Sequence, residues 1–83
     1  MNKKKIESDV LDLISDQFAI EKEAIHENLG PGDLPTWDSI GHVQLIQKLE
    51  SFFKISLSVY DVMAFNSVKD ICDSISKYIS EKT

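Results

Sequence analysis

The stretch Leu34-Pro35-Thr36-Trp37-Asp38-Ser39-Ile40-Gly41-His42-Val43-Gln44-Leu45-Ile46 is where the pattern of this chain changes. Behind it stand Gly30-Pro31-Gly32 and Pro35, residues that interrupt helix and strand alike. Ahead of it a helical pattern runs from Ser39 to about Phe53. On a wheel of about 100° per residue, Val43, Leu45, Ile46, Leu49, Phe52 and Phe53 share one half. Gln44, Gln47, Lys48 and Ser51 share the other, and Ile40 falls outside the apolar arc. A serine therefore stands where a rigid loop becomes a helix. At such a point the first backbone N–H groups are unpaired and the helix dipole is positive. An anionic group attached there is favoured by both effects. Asp38 and Ser39 are each good N-caps, so a plain capping role is the simpler reading of either.

Toward the N-terminus, Ile6, Val10, Leu13, Ile14 and Phe18 form a stripe at steps of three and four, with Leu11 at its margin. This predicts a helix over about 5–18. Residues 19–38 then form a long loop, in which Ile20, Ile25, Leu29 and Leu34 are spaced as pegs that pin it across a helical core. Its acids Glu21, Glu23, Glu27, Asp33 and Asp38 face only Lys22. Toward the C-terminus, Ile55, Leu57 and Val59 alternate with polar residues but have no partner strand, so an extended connector is expected. Ser58 and Asp61 have capping-box spacing and predict a short helix over about 59–65. Ser67, supported by Asp70, opens a last helix over about 67–80 with the stripe Val68, Ile71, Cys72, Ile75, Tyr78 and Ile79, and residues 81–83 fray. The expected fold is all-α: one small bundle over 1–83, with three long helices, one short helix and a long first loop.

Composition narrows the function. A chain of 83 residues makes one domain and cannot wall a deep catalytic cleft. Its net charge of -5 repels nucleic acid and anionic lipid. Lys3-Lys4-Lys5 is too short to act as a basic arm. One cysteine, Cys72, permits no internal disulfide, and it sits in an apolar stripe as an inert core residue. No apolar run reaches the roughly 20 residues of a membrane span, and no signal-peptide pattern opens the chain. A cytoplasmic monomer is expected. His26 and His42 match no metal-ligand spacing. Ser39 and His42 on one helical turn enclose no substrate and lack an oxyanion hole, so a hydrolase is not expected; His42 packs instead at the top of the bundle.

Asp38-Ser39-Ile40 resembles the Asp-Ser-Leu core of the acyl carrier and peptidyl carrier protein family, and Trp37-Asp38-Ser39-Ile40-Gly41-His42-Val43 is similar to a variant in stand-alone carriers. The resemblance covers most of the chain, including the long loop, the Leu49-Glu50 pair, the short third helix and the Asn66-Ser67-Val68 entry to the last. It implies that Ser39 takes 4'-phosphopantetheine from coenzyme A through a phosphopantetheinyl transferase and a divalent metal, with Asp38 assisting. The arm's thiol then holds an acyl group as a thioester. The carrier catalyses nothing; it tethers cargo and raises its local concentration. The implied partners are that transferase, an acyl- or aminoacyl-loading ligase, and acyltransferases or synthases. The resemblance implies that Ile40 touches them, and Trp37, of a type enriched at binding hot spots, and Gln44 are further candidate contacts. For Trp37 the favoured reading is a staple that fixes the loop to the bundle, and Ile40 can equally lie on the loop near Leu34 or Trp37.

The chain departs from carriers of primary fatty acid synthesis, whose second helix is rich in glutamate. Here that helix reads Gln44, Gln47, Lys48 and Glu50, followed by Lys54. Weak electrostatic steering and a dedicated pathway are expected, such as a polyketide, a modified lipid or sugar, or an amino-acid adduct. Gly41 suggests close approach of the arm or of a partner backbone. Phe18, Phe52, Phe53 and Phe65 suggest a filled core that opens for cargo by helix movement. An aminoacyl or peptidyl carrier shares every feature above. In a reading of another class, a helical interaction module without the arm, Ser39 is a cap whose loss costs about 1 kcal/mol.

Overall fold

Each apolar stripe ends in a helix with a chemically defined start. In the computed structural model, which describes residues 2–82, α1 spans Lys3–Phe18, α2 Ser39–Phe53, α3 Val59–Met63 and α4 Val68–Lys82. A single 3-10 turn at Lys22–Ala24 interrupts the long loop. α1 begins two residues before the stripe predicted because Asn2 caps it, its Oδ1 accepting from the Lys5 N–H at 2.8 Å. The Ser58 hydroxyl accepts from the Asp61 N–H, and the Asp61 carboxylate reaches back to the Ser58 N–H, so α3 starts with a complete capping box. It ends at Met63, short of the expected 65, because Phe65 turns inward and is buried. At α4 the Ser67 hydroxyl accepts from the Asp70 N–H at 3.2 Å, and α4 stays helical through Lys82. The fraying expected at Thr83 lies outside the described residues.

α1 lies against both α2 and α4. Where they meet, Val10 and Ile14 of α1, Leu45 and Leu49 of α2, and Ile71 and Ile75 of α4 lose all contact with solvent. Burial of each such side chain contributes about 1.5–3 kcal/mol. The wheel overestimates α2's buried face. Val43 and Phe52 are not in the core: they are 53% and 52% exposed, on the edges of an arc narrower than half a turn. Phe52 lies edge-on against the buried Phe53, at 4.9 Å between ring centres.

The long loop is built into the bundle. Ile25 and Leu29 are buried, and Ile20 and Leu34 pack partly against the core. The loop also completes α4. The Val68 N–H donates to the Leu29 carbonyl at 2.7 Å and the Lys69 N–H to the Glu27 carbonyl at 3.0 Å. Two first-turn donors of α4 are thereby satisfied by the backbone of a distant segment. Gly30 permits this approach, since a Cβ there would meet the Asn66 carbonyl oxygen at 2.1 Å. By contrast α3 buries none of its five residues. It hangs between the partly buried Leu57 and the buried Phe65, with only Val62 packed against the core.

Cys72 lies in the α4 face turned to the core, and burial pushes its thiol up to about 12. A neutral, shielded thiol is a poor nucleophile. At pH 8 an aromatic disulfide reagent is expected to label Cys72 only at the rate of global unfolding, with labelling accelerating in urea. Stoichiometric labelling within the mixing time would show that the α4 face is open.

Candidate functional site

The site is built by the loop as it turns into α2. The Gly30 N–H donates to the Asp33 carboxylate at 2.8 Å, and the Asp33 N–H to the Gly30 carbonyl at 3.0 Å. Gly32 sits at φ 91°, a left-handed conformation that glycine adopts freely, and donates its N–H to the Trp37 carbonyl at 2.9 Å. The Trp37 N–H closes a turn onto the Leu34 carbonyl at 3.0 Å. Trp37 then drops its indole into the bundle, stacked on Phe18 with ring centres 4.7 Å apart. It is 0% exposed, so the expected partner contact at Trp37 is corrected: its indole is a staple and offers no surface to another molecule.

The next residue caps the helix. Asp38 Oδ1 accepts from the Gly41 N–H at 2.8 Å, and the Asp38 carbonyl from the His42 N–H at 2.9 Å. Ser39 is the first helical residue and is exposed. Its hydroxyl is not the cap, which corrects the reading in which losing Ser39 costs a cap. First-turn N–H groups and the positive end of a fifteen-residue helix surround it. An exposed hydroxyl in that field suits a phosphodiester and the reach of a large partner.

Gly41 has a local cause. A Cβ there would lie 2.2 Å from the Thr36 carbonyl oxygen and 3.0 Å from the Phe18 ring. The backbone that approaches Gly41 is the protein's own loop, not an arm or a partner. His42 follows on the same turn as Ser39. Its Nδ1 accepts from the Trp37 indole N–H at 3.0 Å, and its Nε2 faces the Val62 carbonyl of α3 at 3.4 Å. Both ring nitrogens are engaged away from Ser39, so His42 is not placed as a base for that hydroxyl.

Beside Ser39 opens a groove of about 650 Å³, walled by Trp37, His42 and Val43 on one side and by Val62, Met63 and Phe65 on the other. Its rim is apolar. Ile40 is 69% exposed. Val59, Tyr60 and Met63 of α3 are exposed as well. Gln44 is exposed and accepts a hydrogen bond from the Gln17 amide at 2.9 Å. Sequence reasoning missed the exposed apolar residues of α3. Their signal was present: apolar residues at 59, 60, 62 and 63 are too many for one buried face of a five-residue helix. A polar tie holds the far side of α3, where the Tyr78 hydroxyl donates to the Asp61 carboxylate. That hydrogen bond, with one from Ser58, holds the Asp61 carboxyl below its ordinary value.

This constellation is a small helical bundle with an exposed serine at the head of its second helix, beside an open groove. The phosphopantetheine attachment site family matches residues 37–75. Over 68 residues the chain is 31% identical to an acyl carrier protein of Syntrophobacter fumaroxidans, covering 82% of this chain and 84% of that protein. Over 76 residues it is 34% identical to an acyl carrier protein of Phytoplasma mali, covering 84% and 83%. The chain belongs to the acyl carrier protein family. It is a carrier and not a catalyst, and its prosthetic group is 4'-phosphopantetheine, whose terminal thiol supplies the thioester that holds cargo.

Three substitutions separate the local causes. Asp38→Ala is expected to cost about 1 kcal/mol in urea denaturation through the lost cap. Ser39→Ala is expected to stay within about 0.5 kcal/mol of wild type. Gly41→Ala raises helix propensity by about 1 kcal/mol, yet is expected to lower stability by about 1–3 kcal/mol because the Cβ meets a backbone oxygen. A stabilised Gly41→Ala protein would show that Thr36 moves aside freely.

Proposed function

We propose that Ser39 is the residue that carries the arm, in a carrier serving a dedicated biosynthetic pathway. The observation that carries this reading is an exposed serine at the first position of α2 whose capping duty is taken by Asp38. In the attachment step the Ser39 oxygen bonds to the pantetheine-side phosphorus of coenzyme A, the pyrophosphate bond breaks, and adenosine 3',5'-bisphosphate leaves. Asp38 stands next to the hydroxyl, where a carboxylate can orient a metal-bound transfer complex. The chain 1–83 acts as one carrier domain, a cytoplasmic monomer.

The dedicated pathway is supported by charge. Between Ser39 and Phe53 the charged residues are Lys48 and Glu50, which cancel. Lys48 is further engaged by Asp16 of α1 at 3.2 Å. Partners therefore meet an apolar face with Ile40 at its centre and Gln44 at its edge, and not an acidic helix. Such a face fits a loading ligase and acyltransferases or synthases whose own docking patch is apolar. The cargo is an acyl group; an aminoacyl group is the alternative.

Intact mass after incubation with coenzyme A, magnesium and a broad-specificity phosphopantetheinyl transferase is expected to rise by one phosphopantetheine in wild type and not at all in Ser39→Ala. Modification of the Ser39→Ala protein, or none of wild type under conditions that load a known carrier, would overturn the assignment. Loading rates are expected to change less than about threefold between 50 and 500 mM salt. Ile40→Asp is expected to slow loading about tenfold or more at unchanged melting temperature.

A further inference from the structure

His42 joins three parts of the site. Its Nδ1 takes the indole proton of Trp37 and its Nε2 faces the carbonyl of Val62. Its ring lies 6.3 Å from Trp37 and meets Phe65 edge-on at 6.5 Å. One side chain of α2 thus holds the loop on one side and α3 on the other.

The protonation state of this ring is not free. An imidazole nitrogen accepts a hydrogen bond only when it bears no proton. The bond from Trp37 therefore assigns the neutral ring with its proton on Nε2, the atom that faces Val62. An added proton goes to Nδ1 and sets two N–H donors against each other. Trp37 is fully buried, so its indole N–H has no water to turn to. A buried donor without a partner is unfavourable, and the strain is relieved by separating the two rings.

α3 is the part free to move. None of its five residues is buried. Its polar ties to the rest of the bundle are the His42–Val62 contact and the Asp61–Tyr78 bond. We propose that His42 is a proton-operated latch: neutral, it ties the Trp37 indole and α3 to the head of α2; protonated, it keeps its donor toward the Val62 carbonyl, gives up the indole, and swings with α3 away from Trp37, widening the groove beside Ser39. The latch does not depend on Ser39 carrying an arm, so its failure would leave the carrier assignment standing.

The charges around the ring agree with this assignment. From the loop, Asp38 lines the same groove and is its one charged residue. From α3, Asp61 is turned to Ser58 and Tyr78. From the start of α4, Asp70 accepts from the Asn66 N–H. Asp38 itself is turned to the Gly41 N–H, and no lysine is among the residues that line the groove.

The chain's one tryptophan is the reporter. Acrylamide quenching of Trp37 is measured on the unmodified protein between pH 8 and pH 5, the window in which imidazoles take up a proton. His26→Gln removes the other histidine. His42→Asn keeps an acceptor for the indole but has no titrating proton. Asp38→Asn keeps the cap without its charge. The quenching constant is expected to rise at least threefold toward pH 5 in wild type, His26→Gln and Asp38→Asn, and to stay flat in His42→Asn. A rise that persists in His42→Asn, or one lost in Asp38→Asn, overturns the latch. Should His42→Asn fail to fold, the wild-type amides of Val62 and Phe65 decide by NMR. They must shift with the same midpoint as the His42 ring, and amides that do not follow the ring overturn the proposal.

Discussion

The indole of Trp37 stacks on Phe18, donates to His42 and is wholly shielded from water. The placement of everything at the head of α2 depends on it. The ring can enter only because Gly41 lacks a Cβ, which lets the Thr36 carbonyl come down onto the helix. With Trp37 down, its own carbonyl is in place to receive the Gly32 N–H, and the loop closes. Asp38 is then left at the cap and Ser39 one residue beyond it, exposed. The position of a reactive hydroxyl on the surface is thus set by an aromatic side chain in the core.

The same design divides the molecule into a firm part and a loosely held one. The long loop is fastened twice, by buried Ile25 and Leu29 and by two backbone bonds into the first turn of α4. Opening it exposes apolar surface and strands helix donors together, so loop and bundle rise and fall as one. α3 shares neither fastening. Its residues are largely exposed, and polar contacts hold it. Elements with few buried apolar contacts open locally at lower free energy than the core. In the proposed role this asymmetry keeps Ser39 in a fixed place, beside an element that can yield.

The bundle itself was legible in the sequence. Stripes such as Ile6-Val10-Ile14 and Ile71-Ile75 repeat at helical spacing, and the caps at Ser58 and Ser67 could be read directly from their partners Asp61 and Asp70. Local rules cover such features because their partners lie within one turn. What needed the fold was every feature set at long range. The wheel placed Val43 and Phe52 inside, since it assumes a half-buried helix, whereas α2 meets its neighbours along a narrower arc. Asp9, a carboxylate outside the apolar stripe of α1, is 5% exposed, and Lys5 pairs with it at 2.9 Å. α1 and α2 end on Ala19 and Lys54 in the left-handed conformation, where a glycine would have announced the stop. At the site, the loop-to-helix junction and the family resemblance pointed to Ser39. Which of two neighbours caps the helix, and whether Trp37 faces in or out, depended on Phe18 and Gly41, which no local pattern connects.

Native-state hydrogen exchange tests the division most directly. At neutral pH the indole N–H of Trp37 and the amides of Gly41 and Val68 are predicted to exchange only through global unfolding, with the free energy and urea dependence of the core amides of α1. The amides of Val62 and Ala64 are predicted to exchange through a smaller opening that urea barely affects. If the Trp37 indole exchanged as readily as the α3 amides, the loop would not be locked to the bundle, and Trp37 would not be what places Ser39.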